Sequence, residues 1–218
     1  MDASIARSRL SRADRMEQTL NAAHALFAER GYAAVKMDEI AASVGVTKPL
    51  LYNYFGNKER LYIACMERAG DSLTATVAEA VGASLSPGDA LGGGVRAFFA
   101  FLDSDRAAWA VLFDETLPRG GEVAERVADY RRRIVELVSG SMLAQLPEAR
   151  RNAARVEIEA LSVALLGAAE ALARWWLRTE QISADGAAEL LISTIEPGLR
   201  ARSAPTTSQP RQGGTTTR

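Results

Sequence analysis

MDEIAASVGVTKPLLYNYF, running from Met37 to Phe55, is the stretch that decides the fold. In its first half, Met37, Ile40, Ala41 and Val44 recur at the i, i+3, i+4, i+7 spacing of a short amphipathic helix. Asp38 and Glu39 set negative charge at the positive end of that helix's dipole. Gly45 then supplies the permissive backbone of a tight turn, and Val46 plugs the angle that follows. Thr47 stands at an N-cap position, and Pro49 sits in the next first turn, where a missing N–H costs nothing. Two short helices about a glycine turn make a helix-turn-helix, whose second helix enters the DNA major groove.

On that second helix Leu51 and Phe55 are four apart and point inward, leaving Lys48, Pro49, Leu50, Tyr52, Asn53 and Tyr54 on or near the outer face. This face holds donors, an amide, phenol rings and an apolar group, with no acid. Such groups suit base edges: lysine donates to guanine, asparagine pairs with adenine, and an apolar group touches the thymine methyl. Asn57 is placed to cap the following helix, whose first turn holds Lys58, a natural phosphate contact.

The segment GYAAVKMDEIAASVGVTKPLLYNYFGNKERLY resembles the DNA-binding segment of TetR/AcrR-type transcriptional regulators. The positions that carry the resemblance are Gly31-Tyr32, Ile40-Ala41, Val46-Thr47, Leu51-Tyr52-Asn53-Tyr54-Phe55, Lys58 and Leu61. Three positions depart from the family pattern. Val35-Lys36 stands where the family usually places a Ser or Thr that caps the second helix and touches phosphate. Lys36 replaces that contact by charge but not the cap. Tyr54 replaces a histidine and still carries a hydrogen-bond donor, and Leu50 replaces a smaller or hydroxylated residue. The departures bear on which operator is read. The resemblance implies a bacterial homodimer whose second domain binds a small molecule and releases DNA in response, with repression as the default.

Composition agrees with an ordinary helical globular protein: 218 residues, 48% hydrophobic, 24% charged, with only 7 prolines. The net charge of −1 excludes a polyelectrolyte that coats nucleic acid indiscriminately. The only lysines, Lys36, Lys48 and Lys58, all fall in the reading unit, with Arg7, Arg9, Arg12 and Arg15 before it. The lone cysteine, Cys65, excludes an intramolecular disulfide, and the lone histidine, His24, has no second ligand candidate beside it. No cofactor fingerprint, nucleophile elbow or metal-ligand cluster is present, and Asp114-Glu115, adjacent on a helix, diverge rather than converge on one substrate atom. An enzyme is therefore not expected. The N-terminal stretch lacks an apolar signal core and the apolar run 161–173 is too short to span a bilayer, so a cytoplasmic protein is expected.

The chain divides into a flexible basic arm (1–11), a helix-turn-helix domain (12–60), a helical effector-binding and dimerisation domain (61–200) and a disordered Ser/Thr/Pro/Gly-rich tail (201–218). The fold class is all-α. A first helix is expected over 13–30, and one from Asn57 to about Ala80 links the two domains. Further helices are expected over 90–102, 106–116, 122–146, 148–178 and 184–200. The triplet Arg131-Arg132-Arg133 reads as a solvated face from which one arginine can reach an inward acid. Between Ala160 and Leu177 the chain is nearly apolar all round, so that helix must be covered on every side. With small residues such as Gly167, Ala171 and Ala173, helices 148–178 and 184–200 would form a four-helix interface with a second copy.

Aromatic residues in the second domain come from several helices, with Glu115, Glu170 and Arg174 nearby. Singly each reads as core. Together, Phe98, Phe101, Trp109, Phe113, Glu115, Tyr130, Glu170, Arg174 and Trp175 are candidates for an apolar cavity with a few polar anchors. The expected function is a sequence-specific DNA-binding regulator acting as a homodimer on a pseudo-palindromic operator and answering a small apolar or amphipathic effector. The alternative is a constitutive or architectural DNA-binding dimer whose second domain serves assembly alone. DNA-binding candidates are Lys36, Thr47, Lys48, Pro49, Leu50, Tyr52, Asn53, Tyr54 and Lys58.

Overall fold

The computed structural model describes residues 11–84, 87–114, 116–118 and 120–203, with the helical backbone alone at 87–88 and 199–203. Residues 1–10 of the expected arm, Glu115 of the candidate ligand set and residues 204–218 of the expected tail lie outside the described residues. Among the described residues the chain is all helix: α1 (Arg12–Ala34), α2 (Met37–Val44), α3 (Lys48–Phe55), α4 (Lys58–Gly82), α5 (Pro87–Ser104), α6 (Arg106–Leu112), α7 (Glu122–Ala144), α8 (Glu148–Thr179) and α9 (Ala184–Ser203).

The ends of these helices follow local chemistry. Ser11, expected in the arm, is instead the N-cap of α1: its Oγ accepts from the Asp14 amide at 3.1 Å, and Asp14 accepts from the Ser11 amide in return. Gly31 interrupts the end of α1 with φ of 75°, so the expected stop is a kink and helical backbone resumes to Ala34. Asn57 caps α4 as its sequence position predicts, accepting from the Arg60 amide at 2.8 Å. At the other end of the chain, α9 runs to Ser203, three residues into the expected tail.

The helix α4 organises the rest. Its first turns pack on α1 and α6, and its later turns on α5 and α7. Beneath α3, the side chains of Phe27, Ile40, Leu51 and Leu61 are fully buried. Tyr62 meets Phe27 and Tyr32 edge-on, with ring centroids 4.9 and 5.0 Å away, and donates its hydroxyl to the Val111 carbonyl of α6. One core therefore runs from the reading unit into the second half without a gap.

In that second half, Arg131 of α7 holds Glu170 of α8 in a two-pronged pair, Nε to Oε1 at 3.0 Å and Nη2 to Oε2 at 2.9 Å. This is the inward-reaching arginine expected of the triplet. The outer faces of α8 and α9 leave Val156, Val163, Trp175 and Leu190 exposed in the single chain. Where α4 crosses α7, Gly70 lies flat against the Tyr130 ring, and the Tyr130 hydroxyl donates to the Glu67 carbonyl at 3.0 Å.

A Cβ at position 70 would overlap that ring. We expect Gly70→Ala to destabilise the protein by about 1–3 kcal/mol, as overpacking does. Urea unfolding monitored by circular dichroism measures this, and Gly70→Ala combined with Tyr130→Leu should recover part of the loss.

Candidate nucleic-acid interface and effector cavity

The reading unit is built from its turn outward. Gly45 has φ of 66°, and its amide and that of Val46 close the end of α2 on the carbonyls of Ala41 and Ala42. Half-buried Val46 fills the angle, and α3 leaves the turn with Leu51 and Phe55 turned inward. Thr47 takes the extended N-cap conformation, but its hydroxyl makes no cap hydrogen bond, so the capping role expected of that side chain is not realised. The cap missing at α2 is supplied from inside the helix: Glu39 accepts from the Lys36 amide at 2.8 Å and from Arg30 at 3.2 Å. These bonds, the backbone one foremost, hold the Glu39 carboxyl below its ordinary range.

Lys36, Thr47, Lys48, Pro49, Tyr52 and Asn53 are exposed together around the outer face of α3 and the start of α2. Leu50 and Tyr54 are half-buried; Tyr54 packs edge-on against Phe55 and lies under the Arg12 guanidinium at 5.6 Å. The ammonium of Lys48 sits 2.8 Å from Asp38, and hydrogen bonding to that acid raises its pKa above the usual lysine value. An acid thus stands within the reading face, beside its leading cation. Lys58 is turned back: its Nζ is 4.4 Å from the Tyr32 ring centre and 3.4 Å from the Ala33 carbonyl, and partial burial lowers its pKa. That lysine ties α4 to the end of α1.

A cavity of about 730 Å3 lies in the second half, walled by aliphatic residues of α4, α5, α7 and α8, including Leu73, Val77, Ile134, Val138 and Leu165. Gln145, at the end of α7, Arg150, in the first turn of α8, and Glu157 and Glu196 are among the polar residues that also line it. Of the aromatic candidates only Phe98 lines this space. Phe101 is core, Trp109 stacks on Phe113 with centroids 4.0 Å apart, Tyr130 rests on Gly70, Glu170 is held by Arg131, and Trp175 faces outward. Phe113 and Arg174 line a separate, smaller cleft of about 270 Å3.

Between the reading face and these spaces stands a joint that the sequence did not single out. After α6, Asp114 accepts the Tyr32 amide of α1, and Thr116 Oγ1 accepts the Ala33 amide at 3.4 Å. The φ of 75° at Gly31 brings these amides to face the clamp. A short helix held on α4 by the Tyr62 hydroxyl thus also holds the end of α1.

A helix-turn-helix with an exposed polar reading face, carried on a helical domain with a largely apolar cavity, defines a DNA-binding regulator. Comparison with known proteins fixes the family. Residues 20–65 match the bacterial regulatory proteins of the tetR family, and residues 87–196 match the tetracyclin repressor-like C-terminal domain. The HTH-type transcriptional activator FasR of Mycolicibacterium smegmatis is 32% identical over 193 residues, 88% of this chain and 86% of that protein. The transcriptional repressor KstR2 of Mycobacterium tuberculosis is 27% identical over 57% of this chain and 65% of its own. The crystal structure of a TetR-like transcriptional regulator from Rhodococcus sp. RHA1 superposes with a TM-score of 0.72 at 33% identity, covering 88% of this chain and 99% of that one. The chain belongs to the TetR family: it is a DNA-binding transcriptional regulator and not an enzyme. Among the described residues no helix is long and apolar enough to cross a membrane.

Three substitutions test the reading face. Lys48→Ala should relax base preference at one operator position and Tyr52→Phe should weaken binding, at the ~1–3 kcal/mol of a lost base contact. Asp38→Asn should strengthen binding to random duplex more than to the operator, since it removes a negative charge that repels every phosphate alike. Fluorescence anisotropy at fixed salt measures all three.

Proposed function

We propose that the protein is a homodimeric, effector-responsive regulator that reads a pseudo-palindromic operator with the paired outer faces of α3. Lys48, Pro49, Tyr52 and Asn53 form the base-reading set, with Lys36, Thr47, Leu50 and Tyr54 around it; Lys58, tied to the end of α1, stands outside this set. The observation that carries the effector is the cavity of about 730 Å3, whose size suits a small-molecule site. A domain serving assembly alone has no need of such a space in its core. Largely aliphatic walls with a few polar groups, Gln145, Arg150, Glu157 and Glu196 among them, favour an apolar or amphipathic compound, and the cytoplasm, where operator and metabolite meet, is the expected compartment.

The exposed apolar residues Val156, Val163, Trp175 and Leu190 support dimerisation through α8 and α9. A dimer fixes the separation of its two recognition helices, and DNA offers successive major grooves at a matching interval. An effector that prefers one arrangement of α4, α5, α7 and α8 shifts the balance between reading and non-reading geometries by its differential affinity for the two. Repression is the reading inherited from the family. The relatives include one named an activator and one named a repressor, so the sign of regulation is read from where the operator lies relative to the promoter.

A thermal-shift screen with lipid-like and aromatic compounds tests this, each hit being assayed for release of DNA. Leu165→Trp should fill the cavity, keep DNA binding and abolish both responses. A flat melting point across the screen with DNA binding intact, or release that survives the filled cavity, would contradict the proposal.

A further inference from the structure

The smaller cleft lies between the end of α6, the first turns of α7 and the last turns of α8, and shares no lining residue with the large cavity. Leu112, Phe113 and Val127 give it apolar walls, and Arg131 and Arg174 bring guanidinium groups to it. Arginine carries five N–H donors in a rigid fork. The pair with Glu170 uses the Nε–Nη2 side of Arg131, leaving the Nη1–Nη2 edge without a protein partner among the described residues. Glu170 is only 8% exposed, so this guanidinium is held in one orientation by a buried carboxylate. The Asp114 carboxylate, also at the cleft, is engaged elsewhere. Its oxygens accept the Tyr32 amide and both the amide and hydroxyl of Thr116. What remains is a pre-oriented fork of the shape that binds a carboxylate through two parallel hydrogen bonds, beside an aromatic wall.

We propose that this cleft is a second ligand site, for a small carboxylate with a short apolar or aromatic body. The carboxylate sits on the Nη1–Nη2 edge of Arg131, and the body packs against Phe113 and Val127. A space of about 270 Å3 holds roughly nine non-hydrogen atoms at the ~30 Å3 that one water occupies. The same segment that lines the cleft, Leu112 to Asp114, clamps the end of α1 through Asp114, so occupancy bears on the reading unit. This site stands independently of any ligand in the large cavity.

Isothermal titration calorimetry of the full chain with benzoate and hexanoate, and with benzamide as the uncharged counterpart, tests the site. Benzoate should bind once per chain, and benzamide at least about tenfold more weakly, the ~1.4 kcal/mol equivalent of losing a charged partner. Arg131→Lys keeps a positive charge beside Glu170 but lacks the fork, and should weaken benzoate by a similar factor in a protein whose circular dichroism spectrum stays that of the wild type. Leu165→Trp, in the large cavity, should leave benzoate binding unchanged. Absence of benzoate and hexanoate binding at millimolar concentration overturns the proposal. So does equal affinity for benzamide, or benzoate binding that survives Arg131→Lys and disappears in Leu165→Trp.

Discussion

The contact on which the structure depends is the grip of α6 on α1. The Val111 carbonyl of α6 receives the buried Tyr62 hydroxyl of α4, and Asp114 receives the Tyr32 amide at the kink that ends α1. A hydrogen bond to a charged acceptor contributes about 1.5–3 kcal/mol, enough to bias a two-state joint without welding it. Without this grip the three-helix reading unit would hang on α4 alone. With it, the orientation of α3 is set from two directions, and both lead back to helices near the cavities.

The second half is arranged along the antiparallel pair α7 and α8. Ile134 and Val138 face the large cavity, while Val127 and Arg131, nearer the start of the same helix, face the small cleft. Next to Arg131, Tyr130 lies against Gly70 of α4 and fixes the height at which α7 crosses α4. A change in the spacing of α7 is therefore felt by α4 at one point, and a change near the small cleft is felt by the segment that holds α1.

Much of this was legible in the sequence, and for identifiable reasons. The helix-turn-helix was readable because its glycine, its proline and its inward Leu51 and Phe55 each answer a local constraint. Asn57 as a cap and the inward arginine of the triplet were readable in the same way. The cavity was not. Its walls are Leu73, Val77, Ile134, Val138 and Leu165, and aliphatic residues at helical spacing look the same whether they meet a neighbour or a void. The aromatic rings drew attention, yet most of them serve as packing: Trp109 on Phe113, Tyr130 on Gly70. The Asp114 clamp was equally hidden, because its partner is 82 residues away in the chain and a backbone amide carries no side-chain signature.

The most direct test of this account is the DNA affinity of Asp114→Ala, measured beside the wild type at one salt concentration on a duplex selected from random sequence. Asp114 is remote in the chain from the reading face and would touch no base. If the grip on α1 sets the orientation of α3, affinity should fall about tenfold, the equivalent of ~1.4 kcal/mol, while the helical content stays that of the wild type. Wild-type affinity in a folded Asp114→Ala protein would show that the reading unit is oriented by α4 alone, and would contradict the account.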